Sequence, residues 1–249
     1  MTDPRPFIID DGYFKGAVRT HNYAKLKASP KNPVAILFCF GSGLWKEPEA
    51  EWLVEQADKN GWRWGAWYYP YLHIEPQAEL DLWLTQPKSP YFPAQVDFEF
   101  SRSKKTIVTA KQLKELVEGF EAEEKREGTI YSRKNLVDAH LQSLSPTWLN
   151  KRWWWLAQYY LAQELKGEHP GPVDIPSRVM RERVIVHQTA DRLAPPPGFY
   201  QNAKSMDHDR WCGAMTLDEF VGAANPPVPP TTDERLADLE RRVAALEAE

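Results

Sequence analysis

Short apolar runs alternate with amphipathic stretches along most of the chain. Residues 7–9, 34–40, 62–70, 93–100, 129–132, 153–157 and 184–188 read as strands, and residues 206–211 stand near the end of the body. Between them, residues 49–60, 77–84 and 109–127 carry apolar positions at helical spacing. In the last of these, Leu113, Leu116, Val117 and Phe120 share one face, with Gly128 as the expected stop. Strands that alternate with helices, each a nearly unbroken apolar run, predict a parallel sheet covered on both sides. At this length the expected fold is α/β, a TIM-like (β/α) barrel that becomes irregular in its last third. A doubly wound open sheet is the alternative.

One predicted strand breaks the pattern. In Pro93-Ala94-Gln95-Val96-Asp97-Phe98-Glu99-Phe100, two acids interrupt an apolar run. Residues two apart on a strand share a face, so Asp97 and Glu99 would project together, roughly 6 to 7 Å apart at the backbone, with Val96, Phe98 and Phe100 opposite. Like charges that close push at least one pKa upward, which supplies a proton donor and a carboxylate in one place. A solvated sheet edge is the plainer account of the pair. In a barrel, however, Asp10, Tyr68, Tyr69, Asp97, Glu99, Tyr131, Gln188 and Asp207 all fall at or just past the C-terminal ends of strands, the rim where barrel chemistry sits.

The 249 residues suffice for one large domain and an appendage, and 42% hydrophobic residues suffice for its core. Eleven Trp, ten Tyr and ten Phe suit either a large core or sugar platforms. Of the net charge of -4, residues 233–249 hold -3 (six acids, three bases), so the body is nearly neutral. A body without a basic stripe argues against nucleic acid as a partner. Cys39 and Cys212 read as buried free thiols, with a disulfide as the lesser option. His73, His140, His169, His187 and His208 lack metal-ligand spacing, and Ser42 between glycines reads as a turn rather than a nucleophile elbow. Within Trp153-Trp154-Trp155, Trp153 and Trp155 share a strand face expected to pack on helices. The polar, proline-bearing start and the lack of any long apolar run predict neither a signal peptide nor a membrane span.

From Ala223 to Thr232 the chain reads as a stiff, proline-rich linker after a body of residues 1–222. Leu236, Leu239, Val243 and Leu246 then recur at coiled-coil spacing, so residues 233–249 are expected to form a short helix. It would self-associate, for instance as a trimer, or dock on another protein.

With these residues in view, the chain resembles glycoside hydrolase family 25, the lysozyme-type muramidases, over roughly residues 7–222. Ile9-Asp10 with Gly16 resembles the family's opening Asp motif. Gly65-Ala66-Trp67-Tyr68-Tyr69 followed by Gln77-Ala78 resembles its third strand and the helix after it. Val96-Asp97-Phe98-Glu99 resembles the central Asp-x-Glu, and Gly128-Thr129-Ile130-Tyr131-Ser132 the following strand. Trp155-Leu156-Ala157-Gln158-Tyr159, His187-Gln188 and Met206-Asp207 with Gly213 resemble the later markers. The resemblance implies a retaining, substrate-assisted muramidase acting on peptidoglycan glycan strands, with no cofactor and no metal. Glu99 would be the general acid, and Asp97 would orient the substrate's N-acetyl group. Asp10 and Asp207 would line the same pocket, and Tyr68, Tyr69, Tyr131, Gln188, Asp11 and Trp155 would bind substrate. Made in the cytoplasm, such a protein would act on the cell wall after release or as part of a virion. A barrel that binds cell wall as a tail module without turnover is the alternative. Gly12, Lys15 and His187 depart from the family's pattern, and His187 in place of a Trp would remove a sugar platform.

Overall fold

The structure, a computed structural model, describes residues 5–11, 22–29, 33–101, 105–166, 168–169, 171–194, 196–198 and 206–224. The expected tail helix, most of the linker, Gly12 and Lys15 lie outside the described residues. Among the described residues eight strands close into a barrel. They are β1 (Phe7–Asp11), β2 (Pro33–Ser42), β4 (Arg63–Tyr69), β5 (Gln95–Asp97), β6 (Thr129–Ser132), β7 (Trp153–Ala157), β8 (Val184–Leu193) and β9 (Met206–Trp211). The two-residue β3 (Trp45–Lys46) extends β2 as a hairpin. Pairing of β1 with both β2 and β9 shuts the ring, so the open sheet is excluded.

Period-two alternation divides each strand between two apolar compartments. Phe7, Ile9, Phe38, Phe40, Tyr68, Val96, Ile130 and Trp154 face outward to the helices, while Ile8, Leu37, Cys39, Trp67, Tyr69, Trp155 and Trp211 fill the barrel. Helices α1 (Tyr23–Lys27), α2 (Ala50–Lys59), α3 (Pro76–Trp83), α4 (Ala110–Glu124), α5 (Lys134–His140), α6 (Pro146–Asn150) and α7 (Leu161–Lys166) follow one another between the strands, and the outer layer includes α2, α3 and α4. A reciprocal capping box between Thr109 and Gln112 starts α4, and Phe120 of α4 stacks on Trp83 with ring centres 4.9 Å apart. The helix ends at Glu124, before Gly128, because Lys125 adopts the left-handed conformation (φ 58°) and terminates it.

Four further differences from the sequence pattern bear on the site. First, β9 runs antiparallel to both neighbours. Antiparallel neighbours do not require the crossover helix that parallel neighbours need. Second, β5 ends at Asp97, so Glu99 sits on a bend, and Phe100 is 43% exposed instead of buried. Third, Trp153 and Trp155 point into the barrel, and it is Trp154 that meets the helices. Fourth, a helix absent from the sequence pattern, α8 (Leu217–Ala224), plugs the N-terminal mouth and runs through Ala224, past the expected start of the linker. Its Phe220 packs on Trp153, Trp211 and Phe92, with ring centres 5.2 to 6.1 Å away. Cys39 is buried, Cys212 is half-buried, and neither forms a disulfide. No described helix is long and apolar enough to cross a membrane.

Candidate active site

With its lower mouth plugged, the barrel opens at the C-terminal rim into a cleft of about 490 Å³. Asp10 reaches it from the end of β1, Asp97 from the end of β5, and Glu99 from the bend beyond. Asp207 stands at the start of β9 rather than at a strand's end. Because β9 runs backwards, it still arrives at this rim, directly opposite Asp10. Thus the four carboxylates expected to be catalytic, Asp10, Asp97, Glu99 and Asp207, line one cavity, together with Tyr69, Tyr131, Trp155 and Gln188.

Tyr68 and Asp11 do not line it. Each neighbours an inward residue on its strand and therefore faces the other way. Tyr68 is fully buried against Trp83 and Phe120, and its hydroxyl donates to the Gly43 carbonyl. Asp11 is buried outside the cleft. His187 likewise faces away: it hydrogen-bonds Arg5 at 3.1 Å and the Gln158 carbonyl at 2.9 Å, so the departure at this position leaves the cleft lining unchanged. Ser42 ends β2 beside the Gly43-Leu44 turn. Gly43 has φ +58°, and a Cβ there would stand 2.3 Å from the Tyr71 ring, so only glycine fits this turn.

The bend that carries Glu99 is fastened from both sides. The Phe98 N–H donates to the Tyr131 carbonyl (2.8 Å), the buried Ser132 hydroxyl donates to the Phe98 carbonyl (2.8 Å), and the Tyr69 hydroxyl donates to the Glu99 carbonyl (3.3 Å). On the β4 side, Glu79 of α3 accepts from the Tyr71 N–H at 2.8 Å. Burial pushes the Glu79 carboxyl up to about 7, while that N–H and the Tyr68 hydroxyl oppose the shift.

Electrostatics follow from crowding acids in a buried place. Burial, and then the Asp207 carboxylate, hold the Asp10 carboxyl well above the usual carboxylate range; the Trp67 indole N–H, 3.0 Å from Asp10 Oδ1, pulls the other way. The Tyr131 hydroxyl donates to Gln188 Oε1 at 2.7 Å, and burial, with Tyr159, Glu99 and Asp97 around it, raises its pKa well above that of free tyrosine. Asp10 therefore holds its proton to higher pH than an exposed aspartate does, and Tyr131 is held as a neutral donor.

Several lining residues escaped the sequence reading: Trp67, Tyr71, Phe100, Arg133, Tyr159 and Asp191. For Trp67 a signal existed, since it lies two residues from Tyr69 and must share its face. Beneath the cleft, Asp209 is fully buried and accepts the Trp155 indole N–H at 2.7 Å.

The sequence matches no known family model and no curated protein. Solved structures do match the fold. A bacterial lysozyme from Streptomyces coelicolor superposes with TM-score 0.69 and 13% identity, over 90% of this chain and 99% of that one. A family 25 glycosyl hydrolase from Bacillus anthracis gives 0.64 and 14%, over 89% and 95%. The catalytic domain of an endolysin from a bacteriophage of Listeria monocytogenes gives 0.61 and 14%, over 88% and 98%. The chain has the barrel fold of these lysozymes and family 25 hydrolases across nearly their whole length.

Proposed function

We propose that this protein is a peptidoglycan hydrolase of the family 25 type, an N-acetylmuramidase that cuts the β-1,4 bond between N-acetylmuramic acid and N-acetylglucosamine. One observation carries the reading: Asp10, Asp97, Glu99 and Asp207 line a single rim cleft walled by Trp67, Tyr69, Tyr131, Trp155 and Tyr159. Rings and acids together suit a sugar bound by its apolar faces while its hydroxyls and glycosidic oxygen are handled by carboxyls.

Protonated Glu99 gives its proton to the glycosidic oxygen as the bond to the leaving sugar breaks. The carbonyl oxygen of the substrate's own N-acetyl group closes on the anomeric carbon, while Asp97 accepts the acetamido N–H and balances the positive charge. Glu99, now ionised, takes a proton from water, which opens the ring intermediate with net retention. Asp10 and Asp207 hold sugar hydroxyls beside Glu99. The role suits a bacteriophage lysin or a virion component that opens the wall locally.

Muropeptide analysis of digested cell walls tests this directly. The wild type should release new reducing-end muramic acid, and Glu99→Gln should lower the rate by about 10²- to 10⁴-fold, the usual worth of a positioned acid. Saccharide binding with no cleavage by the wild type, and no effect of Asp97→Asn, would favour a cell-wall-binding barrel instead.

A further inference from the structure

A second cavity, of about 450 Å³, adjoins the cleft, and Arg133, Asn135 and Tyr159 line both. Acids dominate the cleft, so Arg133 is the odd charge in its wall. Its guanidinium lies 4.8 Å from the Tyr159 ring centre, and Nη2 donates to the Tyr159 hydroxyl at 2.8 Å. That phenol supplies no counter-charge, since burial raises its pKa to about 12 despite the cation. The Nε of Arg133 is buried and donates to no described group. Glu99 is near enough to influence Arg133 electrostatically, yet Arg133 forms no ion pair with any described carboxylate. The other charged groups of the side cavity have partners of their own: Lys134 pairs with Asp138, which also receives Ser177, and Asp174 accepts a hydrogen bond from the Gln158 amide at 3.0 Å. A cavity wall therefore holds a planar guanidinium fork with one buried N–H unused and no partner acid among the described residues. That is the geometry which reads a carboxylate.

We propose that Arg133 binds a carboxylate on the side branch of the substrate's muramyl sugar, and that the adjoining cavity houses this branch while the glycan lies in the cleft. The assignment rests on the muramidase reading and makes Arg133 a specificity residue. A lactyl group stripped of peptide and a peptide stem present the same chemistry.

The test compares equilibrium binding by calorimetry to the full chain carrying Glu99→Gln, so that ligands survive, with and without Arg133→Gln or Arg133→Lys. Three glycans serve as probes: a peptide-free muramyl oligosaccharide, its lactyl methylamide, and a peptide-bearing muramyl oligosaccharide. Losing a hydrogen bond to a charged group should weaken binding of at least one carboxylate-bearing glycan by roughly 10- to 100-fold in Arg133→Gln. The neutral methylamide should lose at least tenfold less, and Arg133→Lys, which keeps charge without the fork, should fall between. Which carboxylate-bearing glycan suffers identifies the branch. Equal losses on all three glycans would overturn the proposal. A protein with native Glu99 that cleaves none of them would defeat the muramidase reading instead, while the binding ratios would still decide the role of Arg133.

Discussion

On β9 the inward positions are Asp207, Asp209 and Trp211, and the carboxyl of Asp209 is sealed beneath the cleft with the Trp155 indole on one oxygen and no described partner on the other. Burial, followed by the charges of Asp10 and Asp207, holds it well above the ordinary value of 3.8. A carboxyl whose folded pKa is raised favours the fold below its unfolded value, and that advantage is lost as pH rises through the folded value. Asp209→Asn keeps the acceptor for Trp155 and removes the titration, so it should melt at a higher temperature than the wild type, with a gap wider at pH 8 than at pH 5. Melting followed by circular dichroism at the two pH values checks this; a gap that does not change with pH would mean that Asp209 does not titrate differently in the folded chain. The same residue shows what one sequence can and cannot tell. Asp207 and Asp209 differ by two positions and share a face, a relation that was legible, but which strand they would oppose was not. Tyr68 and Asp11 failed as site residues for the converse reason: lying beside Tyr69 and Asp10 in sequence places them on the opposite face.

At the scale of elements, α8 was readable from a signal that hydrophobic spacing alone passes over. Thr216 and Glu219 form a reciprocal cap, with the Thr216 N–H on Glu219 at 2.7 Å and the Glu219 N–H on the Thr216 hydroxyl at 3.2 Å. Proline-rich sequence just beyond it drew the linker boundary too early. The helix matters because it closes the lower mouth of the barrel with Phe220, which is fully buried among aromatic rings. Phe220→Ala should destabilise by about 3 to 5 kcal/mol, since the surrounding barrel cannot collapse into the space. Thr216→Ala, which removes only the cap, should cost about 1 kcal/mol. Urea unfolding of the two variants separates these magnitudes; equal small costs would mean that the plug contributes little to the barrel. The direction of β9 was hidden for a different reason. Alternation records which face a residue takes and is blind to which way its strand runs.

For the whole molecule, the strand order came through because each inner strand announces itself locally as an apolar run, whereas closure depends on β1 meeting β9 across some two hundred residues, which no local pattern encodes. The cleft inherits both: its acids were found one strand at a time, and only closure brings Asp10 against Asp207. The same distinction governs the tail, where the sequence states a local pattern and leaves its partner open. Leu236, Leu239, Val243 and Leu246 make a two-heptad seam, and a lone helix of that length is marginal in water. Such a seam would gain stability by burying its apolar edge against copies of itself. If residues 233–249 self-associate, light scattering should give the full chain a mass that is a multiple of 28.8 kDa, while a chain ending at Pro230 should be monomeric. The monomer should cleave isolated glycans as fast as the assembly does, since every carboxylate of the cleft lies within the barrel. On intact walls it should be slower, because several barrels tethered together raise the local concentration of sites along a strand. Equal masses for the two chains would reject self-association and leave docking on another protein as the use of the seam.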